Sequence, residues 1–218
     1  MLETDNLSFA VHRPWDARLA RWLVAPLRHS WVVPNHLTTV RLLVGLAAAA
    51  AFVPGTYGWS NVAALLLVLS NFLDHADGEL ARVSGKTSRF GHVYDLASDA
   101  LVTILLFVAI GVGIGARPGM PFAFSLVGAI AGGAVAFIFY VRMRIEALAG
   151  KAATRQAALV GFETEDVMYL IPLVTLCNGL VPMLEAAAMC APLYAIWAVF
   201  EYRRVMRRQQ PLTHGVAR

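Results

Sequence analysis

Four aspartates, Asp74, Asp77, Asp95 and Asp99, share a stretch with Gly78, Ala81, Arg82 and Gly91. The pattern reads D-x2-D-G-x2-A-R-x8-G-x3-D-x3-D. Residues three or four apart on a helix share a face. Asp74 therefore pairs with Asp77, and Asp95 with Asp99. On two successive antiparallel helices all four carboxylates can converge. Carboxylates are hard oxygen donors that suit Mg2+ or Mn2+ rather than a thiolate-loving metal. Such a site supports displacement at phosphorus, where cations clamp charge on phosphate oxygens. Gly78 lets the backbone approach a bulky ligand, and Ala81 extends that small-residue surface. Arg82 offers a planar cationic fork to phosphate oxygens. Gly91 permits a tight start to the next helix.

The elements that hold these residues are apolar. The chain has 218 residues, 58% of them hydrophobic, and a mean hydropathy of +0.62. Six apolar blocks lie at about 36–54, 59–75, 92–114, 121–141, 166–182 and 184–202. A bilayer-spanning helix needs about 20 such residues. The expected fold is an all-α integral membrane protein of six transmembrane helices. Residues 14–30 read as an amphipathic juxtamembrane helix. Trp15, Leu19, Trp22, Leu23 and Leu27 share its apolar face, while Arg18, Arg21 and Arg28 face headgroups. The organisation expected is a cytoplasmic N-terminal segment over 1–33, a catalytic membrane domain over 34–204 and a basic cytoplasmic tail over 205–218. Pro172 and Pro182 are expected at kinks or ends. Residues 1–30 show no continuous apolar stretch of the kind a signal peptide carries.

The net charge of +4 matters less than its distribution. Lys and Arg gather in the N-terminal segment, the second-to-third connection, the fourth-to-fifth region and the tail. Arg117 is the sole basic residue on the other side. By the positive-inside rule both termini are cytoplasmic, which an even number of spans satisfies. In a bacterial cell this means the inner membrane. The basic residues form no run beside exposed aromatics, so nucleic-acid binding is excluded. Cys177 and Cys190 lie in apolar surroundings and read as small buried residues rather than a disulfide framework.

Carboxylates inside membrane helices cost about 2.5–3.5 kcal/mol each at the centre. Four of them also repel one another, and bound cations offset both costs. Two aspartates at helical spacing are ordinarily a solvated face, but this set is four acids, two glycines and an arginine at fixed offsets. A cation-coupled transporter is the competing class. It would spread its acids over several helices near the midplane. Here they gather at the cytoplasmic ends of adjacent spans. A catalytically dead scaffold fits poorly with four intact aspartates.

The stretch Asp74-His75-Ala76-Asp77-Gly78-Glu79-Leu80-Ala81-Arg82, with Gly91, Asp95 and Asp99, resembles the signature of the CDP-alcohol phosphotransferase family, class I. Pro34-Asn35-His36-Leu37-Thr38 resembles the family's segment before its first span. Tyr140 to Glu146 is similar to the basic end of its fourth span. The resemblance implies that Asp74, Asp77, Asp95 and Asp99 hold two divalent cations, and that Asp99 is the general base. It implies CDP contacts at Asn35, Thr38, Asp74, Asp77, Gly78, Ala81, Arg82 and Ser88. It also implies a homodimer.

The reaction so implied is transfer of a phosphatidyl group from CDP-diacylglycerol to a small polar alcohol, with release of CMP. The reverse arrangement passes phosphocholine or phosphoethanolamine from a CDP-alcohol to diacylglycerol. Arg142, Arg144, Lys151 and Arg155 are candidates for a phosphorylated acceptor, or serve only to set topology. Leu96 and Ala100 stand where glycerol-phosphate users typically have Pro and Lys. The segment Phe162-Glu163-Thr164-Glu165-Asp166 is acidic where inositol-phosphate users carry arginines. Both departures weigh against those acceptors; the acidic segment suits a cationic or neutral one, or Glu163, Glu165 and Asp166 are only exposed loop charges.

Overall fold

The protein is described by a computed structural model covering residues 15–150 and 168–209. Every regular element among the described residues is helical: α1 (Trp15–Val24), a 3-10 segment (Ala25–His29), α2 (Pro34–Phe52), α3 (Tyr57–Ser84), α4 (Arg89–Gly115), α5 (Ala123–Ala149), α6 (Ile171–Leu176) and α7 (Leu180–Gln209). Among the described residues four helices, α2, α4, α5 and α7, are long and apolar enough to cross a membrane. The apolar blocks of the sequence predict six. Helix α3 is 28 residues long, but its second half carries Asp74, Asp77, Glu79 and Arg82. The fifth apolar block begins outside the described residues and continues as the six-residue α6 and a turn.

Local chemistry explains the boundaries. Pro34 opens α2, where a missing N–H costs nothing. Gly85, at φ 68°, ends α3 in the left-handed conformation and donates its N–H to Ala81 O, the glycine stop favoured at helix C-termini. Ser88 caps α4 by accepting the Gly91 N–H at 2.9 Å. The juxtamembrane element breaks earlier than expected, at Val24. Pro26 follows and cannot continue an α-helix without losing a donor and meeting the preceding turn. Its face also differs. Ala20 and Val24, with Leu27, pack on Ala76 and Leu80 of α3, while Leu19, Trp22 and Leu23 point outward. Pro172 and Pro182 fall in first turns, at helix ends as expected, and among the described residues Pro192 stands inside α7.

Helix α2 packs against both α3 and α4, α5 covers α4, and α7 covers α5. The core is built from Ala48, Phe52, Ala64, Leu67, Leu106, Ile110 and Leu184. Outward faces carry Leu43, Leu65, Ile130, Leu193, Trp197 and Phe200. An apolar exterior of this extent on long helices is what lipid contact requires. Cys177 and Cys190 are exposed on these faces rather than buried.

Close packing rests on glycine. A Cβ on Gly128 of α5 would stand 2.5 Å from Phe107 O and 2.9 Å from Gly111 Cα on α4. The run of small residues thus lets two backbones touch. Gly45 serves the site end in the same way, because its Cβ would meet the methyls of Val102 at 2.7 Å.

Candidate functional site

The signature residues meet where α2 packs between α3 and α4. Helix α3 supplies Asp74 and Asp77, and α4 supplies Asp95 and Asp99. Asp74, Asp95 and Asp99 can each bring a carboxylate oxygen to within 4.8 Å of the other two. Asp77 is 5% exposed and accepts a hydrogen bond from Thr38 Oγ1 at 2.7 Å.

The centre of the group is Arg41 of α2, a residue outside the aspartate signature. It is 3% exposed. Its Nη1 donates to Asp74 Oδ1 and Asp99 Oδ1. Its Nη2 donates to Asp95 Oδ1 at 3.0 Å and to Asp95 O at 3.1 Å. Its Nε lies 4.0 Å from Asp77 Oδ2. Ser70 Oγ donates to the Arg41 carbonyl at 3.1 Å, fixing this turn of α2 on α3. A signal was present in the sequence. An arginine seven positions into an apolar helix costs as much as the aspartates do and needs anionic partners as they need cationic ones.

The other expected residues divide. Gly78 faces open space, with nothing within 4 Å of the place a Cβ would take. Arg82 pairs with the fully buried Glu79 one turn earlier, and its side chain remains 65% exposed. Asn35 stands over Gly91, where a Cβ would lie 2.7 Å from Asn35 Oδ1. Gly91 therefore admits a neighbouring carboxamide in addition to starting α4. Thr38 is 3% exposed, so its hydroxyl serves Asp77 from the interior. Ser88 is a helix cap. Ala81 sits half-buried beside Gly78 on the α3 surface. Lys86 ties the α3–α4 connection to the segment before α2, donating to Ser30 O at 2.7 Å and Val32 O at 3.2 Å. Helix α5 approaches the site end through Glu146, whose Oε1 lies 3.2 Å from His92 Nε2. Arg142, one turn before Glu146, is half-buried, and Arg144 is exposed. Lys151, Arg155 and the acidic segment 162–166 lie outside the described residues.

Beside Asp74 and Asp99 opens a small cavity of about 50 Å³, lined also by Arg41, Asn71, Thr103 and Met168. Asn71 and Thr103 lie one turn from Asp74 and Asp99 respectively. The buried Asn71 Nδ2 has no hydrogen-bond partner among the described residues.

Three hard oxygen donors at this spacing, from two helices, fit one or two small divalent cations. The fold and site thus define a multi-pass membrane protein with a carboxylate centre suited to metal-assisted chemistry. The CDP-alcohol phosphatidyltransferase family model matches residues 31–199, and the chain belongs to that family. Cholinephosphotransferase 1 of Danio rerio is 34% identical over 119 residues, 49% of this chain and 30% of that protein. Archaetidylinositol phosphate synthase of Pyrococcus horikoshii is 37% identical over 83 residues, 37% of this chain and 42% of that protein. The CDP-diacylglycerol–glycerol-3-phosphate 3-phosphatidyltransferase of Cereibacter sphaeroides is 37% identical over 84 residues, 38% of each. The matched stretches thus span less than half the length of these relatives.

Proposed function

We propose that this protein transfers a phosphatidyl group from CDP-diacylglycerol to the hydroxyl of a small polar alcohol, releasing CMP, in phospholipid biosynthesis. The observation that carries the reading is the convergence of Asp74, Asp95 and Asp99 in a chain of this family. Asp74, Asp77, Asp95 and Asp99 hold two divalent cations, Mg2+ or Mn2+. Bound there, the cations neutralise the diphosphate and stabilise the leaving CMP. Asn35, Thr38, Asp74, Asp77, Gly78, Ala81, Arg82 and Ser88 form the CDP side of the site. Gly78 leaves room for the nucleotide, and Arg82 turns from Glu79 toward phosphate. The Asp99 carboxylate accepts the proton of the acceptor hydroxyl. The freed oxygen bonds to the phosphorus distal to cytidine as the P–O–P bridge breaks. Placement of the reacting groups and charge stabilisation supply most of the acceleration, as in other phosphoryl transfers.

The catalytic domain spans 34–204 with six crossings, the site and both termini cytoplasmic, in the inner membrane of a bacterial cell and as a homodimer. Arg142, Arg144, Lys151 and Arg155 line the acceptor side. A second reading reverses the lipid, with phosphocholine or phosphoethanolamine passing from a CDP-alcohol to diacylglycerol. It is favoured by the Danio rerio protein, whose name states cholinephosphotransferase and whose match covers 119 residues. The test is an assay of purified protein with labelled CDP-diacylglycerol and a panel of alcohols, reading CMP and the lipid product by mass spectrometry. CMP release with a small alcohol, abolished by EDTA and restored by Mg2+ or Mn2+, is expected. Release only with CDP-choline or CDP-ethanolamine plus diacylglycerol selects the second reading. No CMP with any nucleotide-activated alcohol ends both.

A further inference from the structure

Arg41 bonds to oxygens of the same carboxylates that a divalent cation would draw upon. Its fork reaches Oδ1 of Asp74, Asp95 and Asp99. At 3% exposure the guanidinium cannot lean into solvent, and an arginine does not discard its charge by losing a proton. Three features define its role. It comes from α2, a different helix from either that supplies the aspartates. It is anchored through its own carbonyl by Ser70. It contacts all four acids at once, with Asp77 at the outer distance of 4.0 Å.

Resting on the metal reading above, we propose that Arg41 is a built-in counter-cation of the aspartate centre. It holds the three helices together around four like charges, and it competes with divalent cations for the carboxylate oxygens. Cation binding then requires the guanidinium to give up at least the shared Oδ1 atoms of Asp74 and Asp99. The physical reason is Coulombic. A unit positive charge a few ångströms from a divalent ion is repelled by several times the thermal energy even at the screening typical of protein sites. Unopposed, four carboxylates so close together would drive α3 and α4 apart. Arg41 thus makes the centre stable to assemble and its cations exchangeable. Neither property follows from the aspartates alone.

The test uses the full chain purified in detergent or nanodiscs, with Mn2+ as the probe. Free Mn2+ is read by its electron paramagnetic resonance signal, and melting temperature is read with and without the ion. For Arg41→Gln, Mn2+ affinity should rise about tenfold or more. Melting of the metal-stripped protein should fall, and Mn2+ should raise it by more than in the wild type. Arg41→Lys keeps the charge but cannot bridge three carboxylates, so its affinity should fall between the two. Recovery of folded Arg41→Gln only when Mn2+ is supplied also supports the role. If Arg41→Gln cannot be recovered under either condition, Arg41→Lys decides by the same measurement. Mn2+ binding that is unchanged or weaker in the variant overturns the competition while leaving the metal site standing. A wild-type protein that binds no Mn2+ overturns the metal reading itself.

Discussion

The two ends of the helix bundle are joined by opposite means. At the end that carries Asp99, α2, α3 and α4 meet through charge: Arg41 on three carboxylates and Thr38 on Asp77. At the other end α2, α4 and α5 meet by having almost no side chain. Gly55, at φ 67°, lies so close to Gly113 that a Cβ there would overlap the Gly113 carbonyl, and Gly111 faces Gly128 across α4 and α5. Arg117 closes this end with a bond of 2.7 Å to Gly55 O. Backbone contact is a rigid and inexpensive way to join membrane helices. Buried charge is an expensive one, and among the described residues the buried charged side chains, Arg41, Asp77 and Glu79, lie at the acidic end.

Substitutions should therefore separate the ends, the acidic end through turnover and the glycine end through stability. The largest effect expected is for Asp99→Asn. Turnover should fall by about 10²–10⁴-fold, the usual contribution of a general base, while binding of the CDP-linked substrate stays measurable by titration. Equal loss of both would remove the base role from Asp99. Next comes Gly128→Ala, for which overpacking of about 1–3 kcal/mol is expected, read as a lower melting temperature in detergent. Gly133→Ala on the same helix is its control. Nothing lies within 4 Å of that position, so it should be neutral or slightly stabilising. Equal loss in the two variants would refute the glycine seam.

Smaller effects lie between these extremes. Ser88→Ala removes the α4 cap and should cost about 1 kcal/mol. A turnover loss larger than that stability change would support the CDP contact proposed for Ser88. Lys86→Met frees the α3–α4 connection from Ser30 and Val32. It should cost under about 1 kcal/mol, as exposed charged contacts do.

The aspartates were legible because helical spacing is local. Asp74 to Asp77 and Asp95 to Asp99 share faces whatever surrounds them, and their cost in an apolar helix marks them. The all-helical fold was legible from apolar blocks. The fifth apolar block yields no long helix among the described residues. Pro172 and the turn at 177–179 interrupt that block, leaving the short α6. The face of α1 was misread because its small residues, Ala20 and Val24, pack on α3, whereas periodicity weighs the large ones.

By itself, then, the sequence determined the helical character, the acidic pattern and the glycines that let helices touch, since each depends on residue type and short-range spacing. Only the tertiary structure decided that Arg41 occupies the middle of the acids and that Thr38 serves Asp77. Those pairs join residues 33 to 58 positions apart. Their meeting depends on how α2 is rotated and set in height against α3 and α4, which no local rule specifies.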